Sequence, residues 1–422
     1  MNKLNNLVIL LQPPNLCKTF TRSGSVYPPL GLCQLAAVDK NDVIEVFDAE
    51  GEGLNIEETQ TKLIQKKPKI IGLSATSFTL EIVENWAKFA KSIGAIVIVG
   101  GPHPSLSPRD TFDKCPSVKY IVRGEGEVII NELIENLLNN KNNLNLSGVC
   151  ERLNDKYHIS DEILKVEDFE NLPFPILSKM PIKNYWCPDS KSSPMVTMMT
   201  TRGCPYKCGF CSSPAVMGKK IRSWSVDKVI KELKYLHFEL GVNEISFVDD
   251  VFTINRKRTI NLCQEIIKNK IKITWFCNAR ADHIDEEMAK VMSEAGCHQT
   301  YLGFESGAQI ILDNVQKGTT IEKLINGAKI LKENNISRSI GFVLGLPGET
   351  DETVQQSIEL AKQLKPERLQ FTRFTPLVGS PLENYSYEQN GFHTKGEDIV
   401  GRWVKFAYES CNNDNNWGKE SW

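Results

Sequence analysis

The residues best suited to chemistry lie in one short run, Thr201-Arg202-Gly203-Cys204-Pro205-Tyr206-Lys207-Cys208-Gly209-Phe210-Cys211. Cys204, Cys208 and Cys211 are spaced C-x3-C-x2-C. Gly203 and Gly209 let such a loop curl so that its thiolates point inward, as the protein ligands of a cubane iron–sulfur cluster must. Three cysteines leave one iron without a protein ligand. A structural zinc site is the other chemistry open to these thiols, but it needs a fourth ligand at short spacing. No Cys or His follows Cys211 until His237. An odd number of thiols suits a disulfide poorly, and 12 cysteines in 422 residues are too sparse for a disulfide scaffold. A reducing, cytoplasmic setting is the expectation.

The elements around that run alternate. Strand-like apolar segments at 195–200, 244–248, 273–277, 299–304, 338–344 and 368–374 are separated by helical periods at 226–240, 257–268, 284–295, 321–334 and 353–364. Such strand–helix units predict a parallel, partial (β/α)6 barrel over 195–378, whose loops after each strand gather at one mouth. The cysteine run follows the first of these strands. Asp249-Asp250 ends the second, Asn278-Ala279-Arg280 the third, Gly303-Phe304-Glu305-Ser306-Gly307 the fourth, the stretch from Gly341 to Glu349 the fifth and Phe374-Thr375-Pro376 the sixth.

An earlier series of apolar runs at 7–11, 43–47, 70–75, 95–99 and 118–122 also alternates with helical periods, the clearest carrying Leu80, Val83, Trp86, Ala87 and Ala90 on one face. This predicts an α/β, doubly wound, Rossmann-like domain over 1–145 with a parallel sheet covered on both faces. Residues 1–11 read as its first strand, since no small-residue cleavage site precedes Pro13-Pro14. Small residues close its later strands: Ser74-Ala75-Thr76-Ser77, Gly100-Gly101-Pro102-His103 and Gly124-Glu125. They leave a groove in which a flat or phosphate-bearing cofactor can approach backbone. The Asn-rich tract 136–145 ends this domain. Residues 146–194 read as a linker, with a hairpin turning at Asn154-Asp155 and then Pro173, Pro175, Pro181, Pro188 and Pro194. Residues 379–422 form a short extension with one helix at 398–409. Cys187, Cys297 and Cys411 suit packed thiols.

C-x3-C-x-aromatic-C after the first strand of a barrel resembles the radical S-adenosylmethionine superfamily. The resemblance implies a [4Fe-4S] cluster on Cys204, Cys208 and Cys211, with S-adenosylmethionine on the open iron and an electron from the cluster generating a 5′-deoxyadenosyl radical. It further implies metabolite contacts at Phe210 and Leu346 near the adenine, Glu305 and Ser306 at the methionine or ribose part, Arg280 near the carboxylate, and Asp249 at the second strand's end. The first domain resembles the cobalamin-binding domain that precedes many such barrels. On that resemblance Ser74, Thr76, Ser77, Gly100, Gly101, His103, Gly124 and Glu125 would hold the corrinoid. The histidine motif D-x-H-x-x-G is missing, since Gln12-Pro13-Pro14-Asn15-Leu16-Cys17 follows the first strand. The cobalt would then have no lower histidine ligand, and His103 suits loop ordering better than ligation.

Taken together, these resemblances imply a cobalamin-dependent radical enzyme that methylates an unactivated carbon of a small molecule or peptide. A low-potential reductant such as flavodoxin or ferredoxin would supply the electron. Rearrangement or cyclisation within the same family is the alternative. A tRNA methylthiotransferase fits less well, because Cys17, Cys33 and Cys115 lack the spacing of a second cluster and the net charge is −2. Such a charge balance gives no footprint for nucleic acid. A sensor that binds corrinoid or cluster without turnover is the non-enzymatic possibility. Hydrophobic residues make 41% and charged residues 24% of the chain, a folded rather than disordered balance. No apolar run reaches the ~18 residues of a membrane span.

Overall fold

Runs rich in Val and Ile, too short to be helices, form the strands of two separate sheets. The computed structural model describes residues 6–14, 25–141, 144–154, 156–386, 393–394 and 397–412. Asn15, Leu16, Cys17 and Asp155 therefore lie outside the described residues, as do parts of the Asn-rich tract and of the C-terminal extension. The chain divides into two compact units, Met1–Pro188 and Asp189–Trp422.

In the first unit β1 (Val8–Gln12), β2 (Ile44–Asp48), β3 (Ile70–Ser74), β4 (Ile96–Gly100) and β5 (Tyr120–Val122) are parallel. β6 (Val149–Leu153) and β7 (Lys156–His158) join antiparallel, giving the order β2-β1-β3-β4-β5-β6-β7. The order reverses at the β1/β3 boundary, the kind of place where open α/β sheets leave a crevice beyond the strands' carboxyl ends. Ile9, Leu11, Ile71, Leu73, Val97 and Val99 are buried, and Val83, Trp86, Ala87 and Ala90 of the helix Leu80–Ser92 pack on them. The hairpin expected within a linker instead extends this sheet. It covers β5, whose unpaired edge would otherwise invite pairing with another chain, and Tyr120 donates a hydrogen bond to Glu151 across it at 3.1 Å.

The second unit holds β8 (Met195–Met198), β9 (Glu244–Phe247), β10 (Thr274–Ala279), β11 (Cys297–Glu305), β12 (Ser337–Leu344) and β13 (Arg368–Arg373). Each pairs parallel with its neighbour in chain order, so the sheet is the expected six-stranded partial barrel. The first intervening helix is shorter than its apolar period suggests: Val226–Lys234 passes into one π turn, Tyr235–Glu239. The helix Ile399–Asn412 lies on β13, where the Tyr408 hydroxyl accepts the Phe371 N–H at 2.8 Å and donates to its carbonyl at 3.1 Å. Cys187, Cys297 and Cys411 are buried.

Candidate active site

Leaving β8, the chain is fixed before it reaches the cysteines. Thr200 and Thr201 each donate both a backbone N–H and a hydroxyl to the carboxylate of Asp249, at 2.7 and 3.0 Å from Thr200 and 2.8 Å from the Thr201 hydroxyl. Asp249 is fully buried at the end of β9, and burial pushes its carboxyl up against the pull of Arg258 and these donors. The loop then turns at Gly203, where φ is +102° and a Cβ would stand 2.3 Å from the Lys220 carbonyl. Only glycine fits that turn. The Gly209 N–H reaches the Val315 carbonyl at 2.7 Å, and the Gly209 carbonyl accepts from Leu382 at 3.0 Å.

Cys204 and Cys208 are buried and Cys211 is half-buried. Burial raises the thiols of Cys204 and Cys211, the latter to about 11, and the nearby charge of Asp250 adds to both. The Ser213 N–H lies 3.4 Å from the Cys211 sulfur and works the other way. A metal centre here must therefore displace protons as it binds.

The expected metabolite contacts divide into two groups. Phe210 packs on the buried apolar cluster of Ala308, Ile311, Val315, Leu346 and Phe374. Glu305 has φ +68°, unusual for a residue with a side chain, at a register shift between β11 and β12. Such a conformation costs about 1–3 kcal/mol and persists where surrounding structure enforces it. Its carboxylate occupies space that a Cβ at Gly303 would fill, 2.3 Å away, and takes a 2.7 Å ion pair from the buried Lys317. Arg280 reaches the cysteine loop too, its guanidinium 3.9 Å from the Tyr206 ring centroid. Asp249 and Ser306 point inward instead. Ser306 has no exposure; its oxygen receives the Ala308 N–H at 3.2 Å and lies 3.4 Å from Ser357.

Four residues at the mouth escaped the sequence reading. Asp250, next to the residue singled out, is exposed while Asp249 is buried. Lys317 follows the short helix Gln309–Asn314. Tyr206 sits between the first two cysteines, and His283 lies three residues past Arg280, its Nε2 hydrogen-bonded to the Tyr206 hydroxyl. The available signal was proximity to a strand end or to the cysteines.

In the first unit the strand ends carry an interlocked set. The Ser105 hydroxyl donates to the Gly101 carbonyl at 2.7 Å and accepts the Gly124 N–H at 2.8 Å, tying the loops after β4 and β5. His103 is buried with both ring nitrogens engaged, Nδ1 2.9 Å from the Ser77 hydroxyl and Nε2 3.0 Å from Asp110. Burial lowers its pKa, with Asp110 opposing. Thr76 is held by Thr79, its N–H donating to that hydroxyl at 2.8 Å. Glu125 turns inward to accept the Val166 N–H at 2.6 Å. Gly101 has φ +102°, and a Cβ there would meet the Ala75 carbonyl at 2.7 Å, whereas one at Gly100 meets nothing nearer than the Val122 carbonyl at 3.8 Å.

Residues 198–361 match the Radical SAM superfamily and residues 18–134 the B12 binding domain. An uncharacterized methyltransferase of Pyrococcus horikoshii is 34% identical over 388 residues, 91% of this chain and 83% of that one. The chain belongs to the B12-binding radical SAM family. It is a radical SAM enzyme of methyltransferase-like type, and the cofactors of that chemistry are an iron–sulfur cluster, S-adenosylmethionine and cobalamin. An anaerobic magnesium-protoporphyrin IX monomethyl ester cyclase of Rubrivivax gelatinosus is 27% identical over 409 residues, 92% of this chain and 72% of that one. The fold is shared with the radical S-adenosylmethionine methyltransferase TsrM of Kitasatospora setae, solved with cobalamin and a [4Fe-4S] cluster, at TM-score 0.75 and 18% identity over 91% of this chain and 75% of that one.

The three cysteines of the radical SAM domain stand on one loop turned at Gly203, and such a thiol set suits a cubane, which gives each thiolate an iron of its own. In the B12-binding unit, a Cβ at Gly100 would meet only the Val122 carbonyl at 3.8 Å and one at Gly101 would meet backbone, so both positions let another group approach the main chain closely. Among the described residues no helix is long and apolar enough to cross a membrane.

Proposed function

We propose that this enzyme methylates an unactivated carbon of a small molecule or peptide in a reducing, cytoplasmic setting, drawing electrons from a flavodoxin- or ferredoxin-like donor. The observation that carries the reading is the convergence of the three-cysteine loop, the Phe210–Leu346 apolar shelf and the Glu305–Lys317 pair at one barrel mouth, in a chain that also holds a B12-binding domain. When bound, the cluster and S-adenosylmethionine would supply a 5′-deoxyadenosyl radical and the corrinoid would supply the methyl group.

The chain's own part is binding and exclusion. Cys204, Cys208 and Cys211 hold the cluster. Phe210, packed on the cluster that contains Leu346, offers a flat apolar surface to an adenine. Glu305 and Lys317 present a fixed pair of opposite charges to a zwitterionic metabolite, and the exposed Asp250 adds a carboxylate at the mouth. Asp249 and Ser306 act by fixing the loops. Ser74, Thr76, Ser77, Gly100, Gly101 and Gly124 form the corrinoid trough, with His103 and Glu125 ordering its walls.

Cyclisation is the second reading, favoured by the Rubrivivax relative. Product analysis of anaerobic turnover with candidate acceptors separates the two. Methylation adds one methylene unit to the product and yields S-adenosylhomocysteine alongside 5′-deoxyadenosine. Turnover that yields 5′-deoxyadenosine without S-adenosylhomocysteine overturns the methylation reading.

A further inference from the structure

Both aromatic residues of the cysteine loop lie against a buried cation. The Arg280 guanidinium is 3.9 Å from the Tyr206 ring centroid, and the Lys317 ammonium is 5.8 Å from that of Phe210. The two cations are joined, since Arg280 Nη2 donates to the Lys317 carbonyl at 3.0 Å. Arg280 also forks onto Asp282, Nε at 3.0 Å and Nη2 at 2.8 Å, beneath almost complete burial of the arginine. The Tyr206 hydroxyl is tied to His283 Nε2, and His283 Nδ1 lies 3.2 Å from the Thr253 carbonyl. A cation over an aromatic face is held more strongly where water is excluded. The arginine is thus held against the ring of Tyr206, which stands between Cys204 and Cys208 in the loop.

We propose that Arg280, held over Tyr206, sets the reduction potential of the cluster on Cys204, Cys208 and Cys211. The proposal rests on the radical SAM reading and adds a role for the arginine that ligation of a metabolite would not give it. The step is the one-electron reduction of a [4Fe-4S] cluster from its 2+ to its 1+ state by a low-potential one-electron donor, with no bond or proton changed. Cluster potentials respond to nearby net charge, so a guanidinium fixed against the loop that carries the thiols favours the reduced state. Asp282, paired with the guanidinium, opposes it. Tyr206 and His283 are positioning residues: the ring seats the guanidinium, and the hydroxyl–imidazole bond fixes the ring.

The test is a dithionite-poised, EPR-monitored redox titration of the reconstituted full chain without S-adenosylmethionine, with iron and sulfide measured in every sample. Arg280→Gln is expected to shift the reduced-to-oxidised ratio at fixed potential at least tenfold toward oxidised, which is 59 mV lower for a one-electron couple. Arg280→Lys should restore most of that shift, and Asp282→Asn should move the midpoint the opposite way. A merely structural role moves the Gln and Asn variants in the same direction or not at all, and either result overturns the proposal. A shift seen only after S-adenosylmethionine is added also overturns it and assigns Arg280 to the metabolite's carboxylate. If Arg280→Gln fails to retain iron, the sign of the Asp282→Asn shift decides. Wild-type protein without iron and sulfide would instead refute the radical SAM reading of the loop.

Discussion

Asp249→Asn separates an anchor from a ligand. In the structure one carboxylate collects four donors from Thr200 and Thr201, just ahead of the turn into the cysteines. An amide keeps one acceptor oxygen and turns an NH2 toward the other donors, so about half of those bonds are lost. Hydrogen bonds to charged groups are worth about 1.5–3 kcal/mol each. Relief of the buried charge, which holds this carboxyl's pKa up, returns part of that cost. A net loss of about 2–4 kcal/mol is expected. For a unit of this size each kcal/mol lowers Tm by roughly 2–4 °C, giving a fall of roughly 5–15 °C. Circular dichroism melts and iron content should fall together, while the molecules that retain iron bind S-adenosylmethionine with nearly native affinity. An unchanged Tm with a tenfold loss of affinity, about 1.4 kcal/mol, would refute the reasoning and make Asp249 a direct contact.

Cys208→Ala should abolish cluster assembly and all S-adenosylmethionine cleavage, read as absent visible absorption and no 5′-deoxyadenosine. Gly100→Leu projects into the open space beside β4 and should cut copurifying cobalamin more than tenfold while leaving iron and sulfide intact; Gly101→Ala, forced into φ +102° against Ala75, should lower Tm. Glu232 is buried on the helix Val226–Lys234 with Oε2 unpartnered, and burial raises its carboxyl from 4.5 to about 8. The folded chain then holds a proton that the unfolded chain releases, so stability is full below pH 4.5 and falls as pH rises through 8. Glu232→Gln should raise Tm at pH 8.5, by on the order of 3 kcal/mol of stability, and change it little at pH 4.5.

Strand positions were legible because buried parallel strands carry their signal in consecutive residues: 70–75 and 338–344 became Ile70–Ser74 and Ser337–Leu344. The hairpin's partner was not legible, since Val149-Cys150-Glu151 states only that a strand exists and β5 supplies the reason for its place. The helix expected to run through 240 continues past Lys234 as a π turn to Glu239, a change of winding that the apolar period does not reveal. The spacing of Cys204, Cys208 and Cys211 singled out their loop, and the structure places it directly after the first strand of the barrel. Lys317 was not legible, because its importance comes from an ion pair to Glu305, made possible by a left-handed backbone at Glu305 and a missing side chain at Gly303.

Asp249, Ser306 and His103 share a property that sequence position hides. Each stands at the carboxyl end of a strand, where ligands bind in both architectures, yet each directs its polar atoms at its own loops. For His103 to ligate cobalt it would have to give up Ser77 or Asp110 and leave a buried polar group unpaired, at a cost of about 1–3 kcal/mol. Ligation must beat that cost, while close approach to Gly100 and Gly101, which carry no side chain, displaces no ring hydrogen bond. The same comparison at the barrel mouth favours Asp250 over Asp249 as the group that meets a ligand. Polar residues at strand ends thus divide by what already satisfies them: those with full sets of internal donors hold loops in shape beforehand, and those left exposed or strained, Asp250 and Glu305, are where binding energy can be gained.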